Sequence, residues 1–523
     1  MGTIFSDLVR RGALWSVGGN MFSTIVTFAS GVILARLLSP SDFGVFMATT
    51  VFTSILLMLS KFGLPQALIQ AENLTEDTIN GALAVTTTLS LVSFLLLNAS
   101  APLIAQLYGT PEVVDTVRFM SPVLLLSPIP TVGIALLRRA MQFDVVTKIT
   151  AVSLLASAAV SITLAMMGFG PLALAIGSLT NVLATLVLVL RSSMWKPRLR
   201  SLLRVSPIIG YSRFMALSTF LVYATNKVDN LLVGALAGMG SLGNYGRAFS
   251  LSRIPLDQFA QSISPLMLGS LSRLQRDASA GKHLFSKAIA VVSLLTFPFF
   301  ALLFVIGPQL VVLVYGAQWS TAAEALRPFV VAASIMLYYI QLQSYISAFG
   351  LVRKLSSAHF LGLIATVFLV LSLAPFGLFA IGVGIAIREA VILSAMLFLL
   401  RKTPVEVKPL ELIYTTAPAL AATAAATMFG FYASSRLQSA QPDSILLEII
   451  VTSIVLALAY AGTTLLLILL WRSHTQLQSV RRHLASGLRT VIRRPHKGVD
   501  HESDQRRWLP RAGTPTGIRR GSG

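Results

Sequence analysis

The sequence predicts an all-α integral membrane protein with about fourteen transmembrane helices, arranged as two six-helix bundles plus a C-terminal helix pair. Three observations lead to this fold class. Of the 523 residues, 55% are hydrophobic and 12% are charged, whereas about 25% are charged in soluble domains. Apolar stretches of about 20 residues, the length that crosses a bilayer, recur from Ala13 to Trp471. An internal repeat then groups twelve of these stretches into two sets of six.

The predicted spans follow one another with short interruptions. The first comes after Arg10 and Arg11, as in a signal peptide, but it is long and has no clear cleavage site, so we predict a retained helix. Pro122, Pro128 and Pro130 predict a bend in the fourth span, because proline interrupts the helical hydrogen-bond ladder. In order, the spans are predicted at residues 13–34, 44–60, 79–105, 117–137, 149–167, 172–190, 211–237, 246–269, 288–313, 328–349, 356–373, 378–400, 412–432 and 445–470.

The repeat is visible as matching segments at a nearly constant offset. The pairs are 107–109 (LYG) with 314–316 (VYG), 168–173 (GFGPLA) with 375–380 (PFGLFA) and, more loosely, 39–44 (SPSDFG) with 238–243 (GMGSLG). The first two pairs lie 207 residues apart and the third lies 199 residues apart. Six spans return the chain to its starting side, so both copies have one orientation, and we expect two lobes related by an axis along the membrane normal.

The repeat and the charge pattern together predict the domain boundaries. We place an N-terminal six-helix lobe at 1–190, a basic cytoplasmic linker at 191–209, a C-terminal six-helix lobe at 210–402, transmembrane helices 13 and 14 at 403–471, and a basic disordered cytoplasmic tail at 472–523. Before the tail, the loops on one side of the membrane carry twenty basic residues and those on the other side carry five. Because basic loops remain in the cytoplasm, both termini are predicted to be cytoplasmic. This topology accounts for the net charge of +21, so a nucleic-acid partner is not predicted.

Charged residues inside the spans are the main candidates for a functional site. An ionised side chain near mid-bilayer costs at least about 2.5–3.5 kcal/mol unless it meets water, a partner or a ligand. All of the residues singled out in this way lie in the second lobe. Four residues are predicted to contact an anionic substrate: Asn226, Lys227, Arg253 and Arg388. Three acids are predicted to bind a coupling ion or to act as counter-ions: Asp229, Asp257 and Glu389.

Structural roles are the alternative for the same residues. Arg253 and Asp257 are four residues apart on one helix face, where an intrahelical ion pair can form. Arg388 and Glu389 can pair at mid-span. Lys227 can be neutralised by an acid on another helix or can extend toward the membrane surface.

Signatures of enzymes are missing from the sequence. Cysteine is absent, which excludes disulfides, thiolate nucleophiles and Cys-based metal sites. The six histidines, which we place in cytoplasmic loops or the tail, have no metal-ligand spacing, and no nucleotide-binding loop is present. We therefore predict no enzymatic activity, no cofactor and no metal.

Two motifs resemble those of a known family. Residues 35–44 (ARLLSPSDFG) resemble the first-loop signature of bacterial polysaccharide and O-unit flippases of the Wzx type, with Arg36 and Asp42 at matching positions. Residues 226–249 (NKVDNLLVGALAGMGSLGNYGRAF) look like the family's Asn-x-x-Asp-x-x-x-x-Gly run followed by Leu-Gly-x-Tyr. In this second motif Asp229 and Gly234 match. Residues 138–143 (RRAMQF) are similar to the basic turn that follows the fourth span in these proteins.

The resemblance implies membership in the exporter superfamily that includes MATE-type multidrug extruders and lipid II flippases. It implies a flippase in the bacterial inner membrane that turns an undecaprenyl-diphosphate-linked oligosaccharide from the inner to the outer leaflet by alternating access. Membrane lipids and other polysaccharide assembly proteins are the further partners it implies. The alternatives are a cation-coupled exporter of small amphipathic drugs and, from another class, a membrane enzyme of polysaccharide assembly. The membrane enzyme is disfavoured, since no long outer loop and no catalytic constellation are present.

Overall fold

A computed structural model describes residues 2–61, 63–70, 74–192, 195, 197, 227–403, 405–440 and 444–470. The secondary structure of these residues is entirely helical. Residues up to Leu465 form one compact unit, and the last residues of the final helix belong to a second unit that begins at Leu466. The tail predicted at 472–523 and most of the basic linker at 191–209 lie outside the described residues.

The first half of the chain contains nine helices in its described residues. They are α1 (Gly2–Leu37), α2 (Pro40–Lys61), α3 (Leu64–Gln70), α4 (Glu76–Tyr108), α5 (Glu112–Met120), α6 (Pro122–Leu126), α7 (Pro128–Arg139), α8 (Phe143–Met166) and α9 (Pro171–Ser192). The predicted bend in the fourth span is confirmed, because Glu112–Leu126 and Pro128–Arg139 meet at an angle of 45°. Pro128 stands at the start of α7, where its missing N–H leaves no hydrogen bond unmade.

The second half begins, within the described residues, at α10. Its helices are α10 (Val228–Pro255), which continues through a π-helical turn (Leu256–Ala260) into α11 (Gln261–Ser272), then α12 (Ala278–Tyr315), α13 (Ser320–Ala348), α14 (Val352–Leu373) and α15 (Gly377–Leu400). Two further helices, α16 (Pro409–Ala440) and α17 (Ile445–Leu470), follow. Gly238 interrupts α10 with a φ of 84° and a ψ of 171°. Glycine adopts this conformation at little steric cost, so the predicted loop between spans seven and eight is a sharp kink at one residue.

The described residues define a multi-pass membrane protein. Ten of their helical stretches are long and apolar enough to cross a membrane, or up to eleven if the bent pair in the first half is one crossing. One of these stretches, Lys354–Leu400, contains most of α14 and all of α15, which pack against each other. The count of fourteen and the two six-helix bundles stay predictions.

Two pairs of glycines that match in the sequence repeat lie at matching helix ends and share a positive φ. Gly109 and Gly316, which follow the matching tyrosines, end α4 and α12 with φ values of 62° and 106°. Gly170 and Gly377, also 207 residues apart, have φ values of 54° and 87° and come just before α9 and at the start of α15. The repeat is therefore expressed in the helix ends as well as in the residue types.

The loosely matched segments of the repeat pack against each other where α2 and α10 meet. A Cβ atom at Gly44 would lie 2.6 Å from the carbonyl carbon of Met239, and one at Gly243 would lie 2.8 Å from the carbonyl carbon of Pro40. The two contacts are equivalent under the repeat, because Gly44 matches Gly243 and Pro40 matches Met239. We call this junction of the two halves the closed end.

The start of α2 at the closed end is held by a capping box. The Ser39 backbone N–H and hydroxyl donate to Oδ2 of Asp42 at 2.8 and 2.7 Å, and the Asp42 N–H donates to the Ser39 hydroxyl at 3.2 Å. Such reciprocal bonds satisfy backbone N–H groups that lack a partner in the first helical turn. Asp42, which matches the family motif, therefore has a structural role beside the Gly44–Met239 contact.

Candidate functional site

A buried ion cluster joins α10 to α15. Nη1 of Arg388 donates to Oδ2 of Asp229 at 3.0 Å, and Nη2 of Arg388 donates to Oε1 of Glu389. The side chains of these three residues are only 1–2% exposed. The predicted pairing of Arg388 with Glu389 is confirmed, and the structure adds Asp229, which lies 159 residues away in sequence. Charges this deep are tolerated only because they are paired.

Tyr245 completes the hydrogen bonding of Asp229. Its hydroxyl donates to Oδ2 of Asp229 at 2.7 Å, and the backbone N–H of Asn230 donates to Oδ1 at 2.7 Å. The Tyr245 side chain is fully buried and its ring packs against Phe249 and Phe329. Asp229 and Tyr245 lie on opposite sides of the Gly238 kink, so their hydrogen bond ties the two parts of α10 together.

Tyr339 on α13 and His359 on α14 surround the cluster. Tyr339, which is 3% exposed, is hydrogen-bonded to Glu389, and His359, which is 2% exposed, lies within range of the charge of Arg388. The two rings face each other edge to face, with centroids 6.1 Å apart. The placement of all six histidines in loops or the tail is therefore wrong for His359. The helix begins before it, at Val352, and packing against α10 and α15 buries it.

A second group of charges is less deeply buried. Arg253 donates from Nη2 to Oδ1 of Asp257 at 3.3 Å, so the predicted intrahelical ion pair is confirmed. Their side chains are 22% and 47% exposed. Lys227, at the start of α10, is half-buried, and Asp229 and Arg253 lie within range of its charge. Asn226, also predicted here, lies outside the described residues.

This second group lies at the boundary between the two halves of the chain. Gln258, next to Asp257, donates from Nε2 to Oγ1 of Thr24 on α1 at 3.3 Å. Lys227 and Arg253 combine positive charge with partial exposure, and Arg253 lies five residues before Gln258 in the same continuous helical stretch. Arg388 has the charge but is enclosed in this conformation. Its predicted contact with substrate, and the ion-coupling roles of the three acids, stay predictions.

Two arginines connect the halves at the closed end. Arg36 of α1 donates from Nε and Nη2 to the carbonyls of Val314 and Leu313 at 2.9 and 2.6 Å. These carbonyls are in the last turn of α12, where a cation also interacts favourably with the helix dipole. Arg247 of α10 donates from Nη2 to the carbonyl of Gly31 at 3.3 Å.

Two further side chains join the halves at the same end. Gln318 and Trp319 both donate to the carbonyl of Ala35 on α1, at 2.6 and 2.8 Å. Like the arginines, they bind backbone oxygens of the other half. Arg36 and Arg247 are two of the five basic residues predicted on the less basic side of the membrane, and nothing in the sequence indicates that these helix ends meet.

An apolar groove lies between α12, α13 and α16. Its volume is about 380 Å³. Its walls include three phenylalanines of α12 and aliphatic residues of α16, with one tyrosine hydroxyl bound to a threonine: Phe297, Phe300, Phe304, Leu420, Tyr338 and Thr416. Tyr338 and Tyr339 are neighbours on α13, so the groove and the ion cluster share the wall formed by that helix.

Within the described residues, no group of three or more His, Asp or Glu side chains is placed to hold a metal ion. Asp229 and Glu389 both receive the guanidinium of Arg388.

The fold is similar to that of a solved lipid flippase. The solved structure of lipid II flippase MurJ in an inward closed conformation matches 86% of this chain and 98% of its own length, with a TM-score of 0.70 and 14% sequence identity. An identity this low shows a shared fold and nothing about substrate.

The family follows from the sequence match. Residues 33–324 match the family model described as polysaccharide biosynthesis protein, and the chain belongs to this family. The chain is 25% identical over 323 residues to the succinoglycan biosynthesis transport protein ExoT of Rhizobium meliloti (strain 1021), covering 61% of this chain and 65% of that protein. It is 22% identical over 325 residues to the lipopolysaccharide biosynthesis protein WzxC of Escherichia coli (strain K12), covering 60% and 65%. The matches thus span about two thirds of these relatives' length, and the resemblance to Wzx-type proteins is confirmed.

Proposed function

We propose that the protein is a flippase that moves an undecaprenyl-diphosphate-linked oligosaccharide from the inner to the outer leaflet of the bacterial inner membrane during surface polysaccharide synthesis. The observation that carries this proposal is the pair of partly exposed cations, Lys227 and Arg253, which lie within range of each other's charge. Arginine binds a phosphate group through two parallel hydrogen bonds, and lysine adds a compact positive charge. The names of the relatives, which refer to succinoglycan and lipopolysaccharide biosynthesis, support the same substrate class.

The apolar groove supports a lipid-linked substrate. A polyprenyl chain is all hydrocarbon and gains free energy from burial at about 25 cal/mol per Å². A groove with phenylalanine walls suits such a chain. In the proposed mechanism the sugars and diphosphate cross between two six-helix lobes of a fourteen-helix protein while the lipid stays in apolar surroundings.

In the proposed topology both termini are cytoplasmic and the closed end faces outward. The chain contains no cysteine, so a single introduced thiol reports its own side of the membrane. Ser41, exposed at the closed end, is the outer position, and Lys402, exposed after α15, is the inner one. In intact cells stripped of the outer membrane, a membrane-impermeant maleimide should label a Ser41→Cys variant fully and a Lys402→Cys variant only after lysis. The reverse pattern would contradict the orientation.

Lys227→Ala is expected to abolish polysaccharide export while the protein level in the membrane stays normal. The substitution removes a cation at the start of α10 without removing core packing, since Lys227 is only half-buried. Lys227→Arg should retain part of the export because the charge remains. The measurement is surface polysaccharide in a deletion strain complemented with each variant, with protein quantified by immunoblot.

Lys148→Ala is the matched control for this test. Lys148 also forms a contact with an acid, 3.7 Å from Asp144, but its side chain is 64% exposed on α8 of the first half. Export should be unchanged in this variant. Normal export by the Lys227→Ala variant would show that Lys227 is not part of the site. A separate outcome concerns the deletion strain: normal polysaccharide with altered drug tolerance would favour the drug-exporter alternative.

A further inference from the structure

Arg247 is held between the halves by aromatic rings. Its guanidinium carbon lies 4.0 Å from the ring centre of Phe43, 5.4 Å from that of Tyr315 and 5.6 Å from that of Trp319. These rings also pack edge to face on one another, with Phe43 and Trp319 centred 5.4 Å apart. We call the three rings the Arg247 cage. Ring faces attract cations through their quadrupole, so the cage stabilises the charge without any acid.

The hydrogen bonding of Arg247 is incomplete. One bond, 3.3 Å long, reaches the carbonyl of Gly31, and the buried Nε has no hydrogen-bond partner among the described residues. Within the same residues, no carboxylate lies within salt-bridge distance of this guanidinium. A guanidinium can donate five hydrogen bonds in a planar fork that matches a phosphate group. Arg247 therefore has unused capacity for an anion.

The contacts of Arg247 come from both halves of the chain. Phe43 and Gly31 belong to the first half, whereas Tyr315 and Trp319 belong to the second half together with Arg247 itself. If the closed end opens, Arg247 loses its nearest ring and its hydrogen bond and keeps only the two more distant rings. Opening thus exposes the side of the guanidinium that now faces the first half.

We propose that Arg247 is a further anion-binding residue, in addition to Lys227 and Arg253, and that it binds the diphosphate of the substrate when the closed end opens. The inference rests on the proposed function. Arg247 and Arg253 are on the same helix, and six residues correspond to about 9 Å along its axis. The diphosphate is thus received first at the depth of Lys227 and Arg253 and then at Arg247, closer to the exit. The cage and the diphosphate compete for one guanidinium, so the closed end re-forms once the substrate has left.

The test measures how a diphosphate changes the opening of the closed end. Spin labels are placed on Ser41→Cys and Thr321→Cys, two exposed positions near the closed end on opposite halves of a chain without other thiols. The labelled protein is reconstituted in phosphatidylcholine nanodiscs, and the distance distribution is recorded by pulsed electron paramagnetic resonance. The probes are farnesyl diphosphate, inorganic pyrophosphate and, separately, phosphatidylglycerol in the nanodisc.

Farnesyl diphosphate is expected to raise the long-distance population at least about threefold in the labelled parent protein, because a ligand shifts a two-state equilibrium by its differential affinity. In Arg247→Met the closed end should form normally, since the apolar methionine side chain fits the cage. Farnesyl diphosphate should not change the long-distance population of this variant. Arg247→Lys should show a partial shift, since a lysine cannot chelate a phosphate with two parallel hydrogen bonds. Arg436→Met is the matched control, because Arg436 also lies over a ring, 5.3 Å from that of Tyr432, but is exposed on α16. It should respond like the parent.

Two results would overturn the inference. An equal shift in the parent and in Arg247→Met would exclude Arg247 while leaving the proposed function intact, which the export test of Lys227 judges separately. A shift produced by phosphatidylglycerol alone would assign the site to bulk lipid rather than to the substrate. A response to farnesyl diphosphate that exceeds the response to pyrophosphate would support a lipid-linked ligand.

Discussion

Gly44→Ala and Gly243→Ala are each expected to prevent the closed end from forming and to reduce polysaccharide export to background. The added methyl group would lie 2.6 Å from the carbonyl carbon of Met239 in the first variant and 2.8 Å from that of Pro40 in the second. Both obstacles are backbone, which cannot rotate away as a side chain can. A cost of about 3 kcal/mol corresponds to a loss of about two orders of magnitude in the ratio of closed to open protein.

Two other glycines of the same segment provide controls for the glycine prediction. Gly240→Ala meets no atom within 4 Å and should export normally. Gly246→Ala meets the Met47 side chain, which is flexible, so a mild defect is expected. Export measurements should be paired with the spin-label distance between positions 41 and 321, which should lengthen in the Gly44 and Gly243 variants only. An unchanged distance in both would show that α2 and α10 need not approach this closely.

Arg388→Met is expected to destabilise the protein by about 3–5 kcal/mol, because it leaves the buried carboxylates of Asp229 and Glu389 without their cation. Asp229→Asn should cost less, since Arg388 and Glu389 remain as a balanced pair. Replacing all three ionisable groups, as in Asp229→Asn with Arg388→Met and Glu389→Gln, should recover much of the loss because no charge is then buried. The measurement is thermal unfolding in detergent.

Arg253→Met is the control for Arg388→Met. Arg253 also pairs with an acid but is 22% exposed, and exposed pairs contribute only about 0–1 kcal/mol. Equal unfolding temperatures for the two variants would show that the buried cluster contributes no more to stability than the exposed pair. Export by the triple variant is a second result of interest, because normal export would show that the cluster is structural and has no direct part in substrate binding or ion coupling.

Local patterns in the sequence predicted the elements that local forces determine. Apolar length predicted the class of membrane protein, the prolines predicted the bend before α7, and the four-residue spacing predicted the ion pair of Arg253 and Asp257. The pairing of Asp229 with Arg388 had no such signal, because it depends on which face of α10 packs against α15. The second family motif contained a hint, since it includes both Asp229 and Tyr245, which share a hydrogen bond.

The closed end was also outside the reach of local patterns. Arg36, Arg247 and Trp319 lie far apart in sequence and come together only where the two halves meet. Their acceptors are backbone carbonyls, which every residue has, so no residue type on the other half reveals the contact. The repeat did contain relevant information. Gly44 and Gly243 are matching positions, and each packs against the matching segment of the other half.

Met47 and Gly246 continue this packing of matching positions by one helical turn along α2 and α10. They are also 199 residues apart, so they are matching positions that face each other directly, and a Cβ at Gly246 would collide with the sulfur of Met47. Two identical copies of the first half would bring methionine against methionine at this point. At this pair of matching positions one half has a bulky residue and the other has glycine, which lets the two helices approach. The halves of the present protein have become complementary partners and are no longer interchangeable.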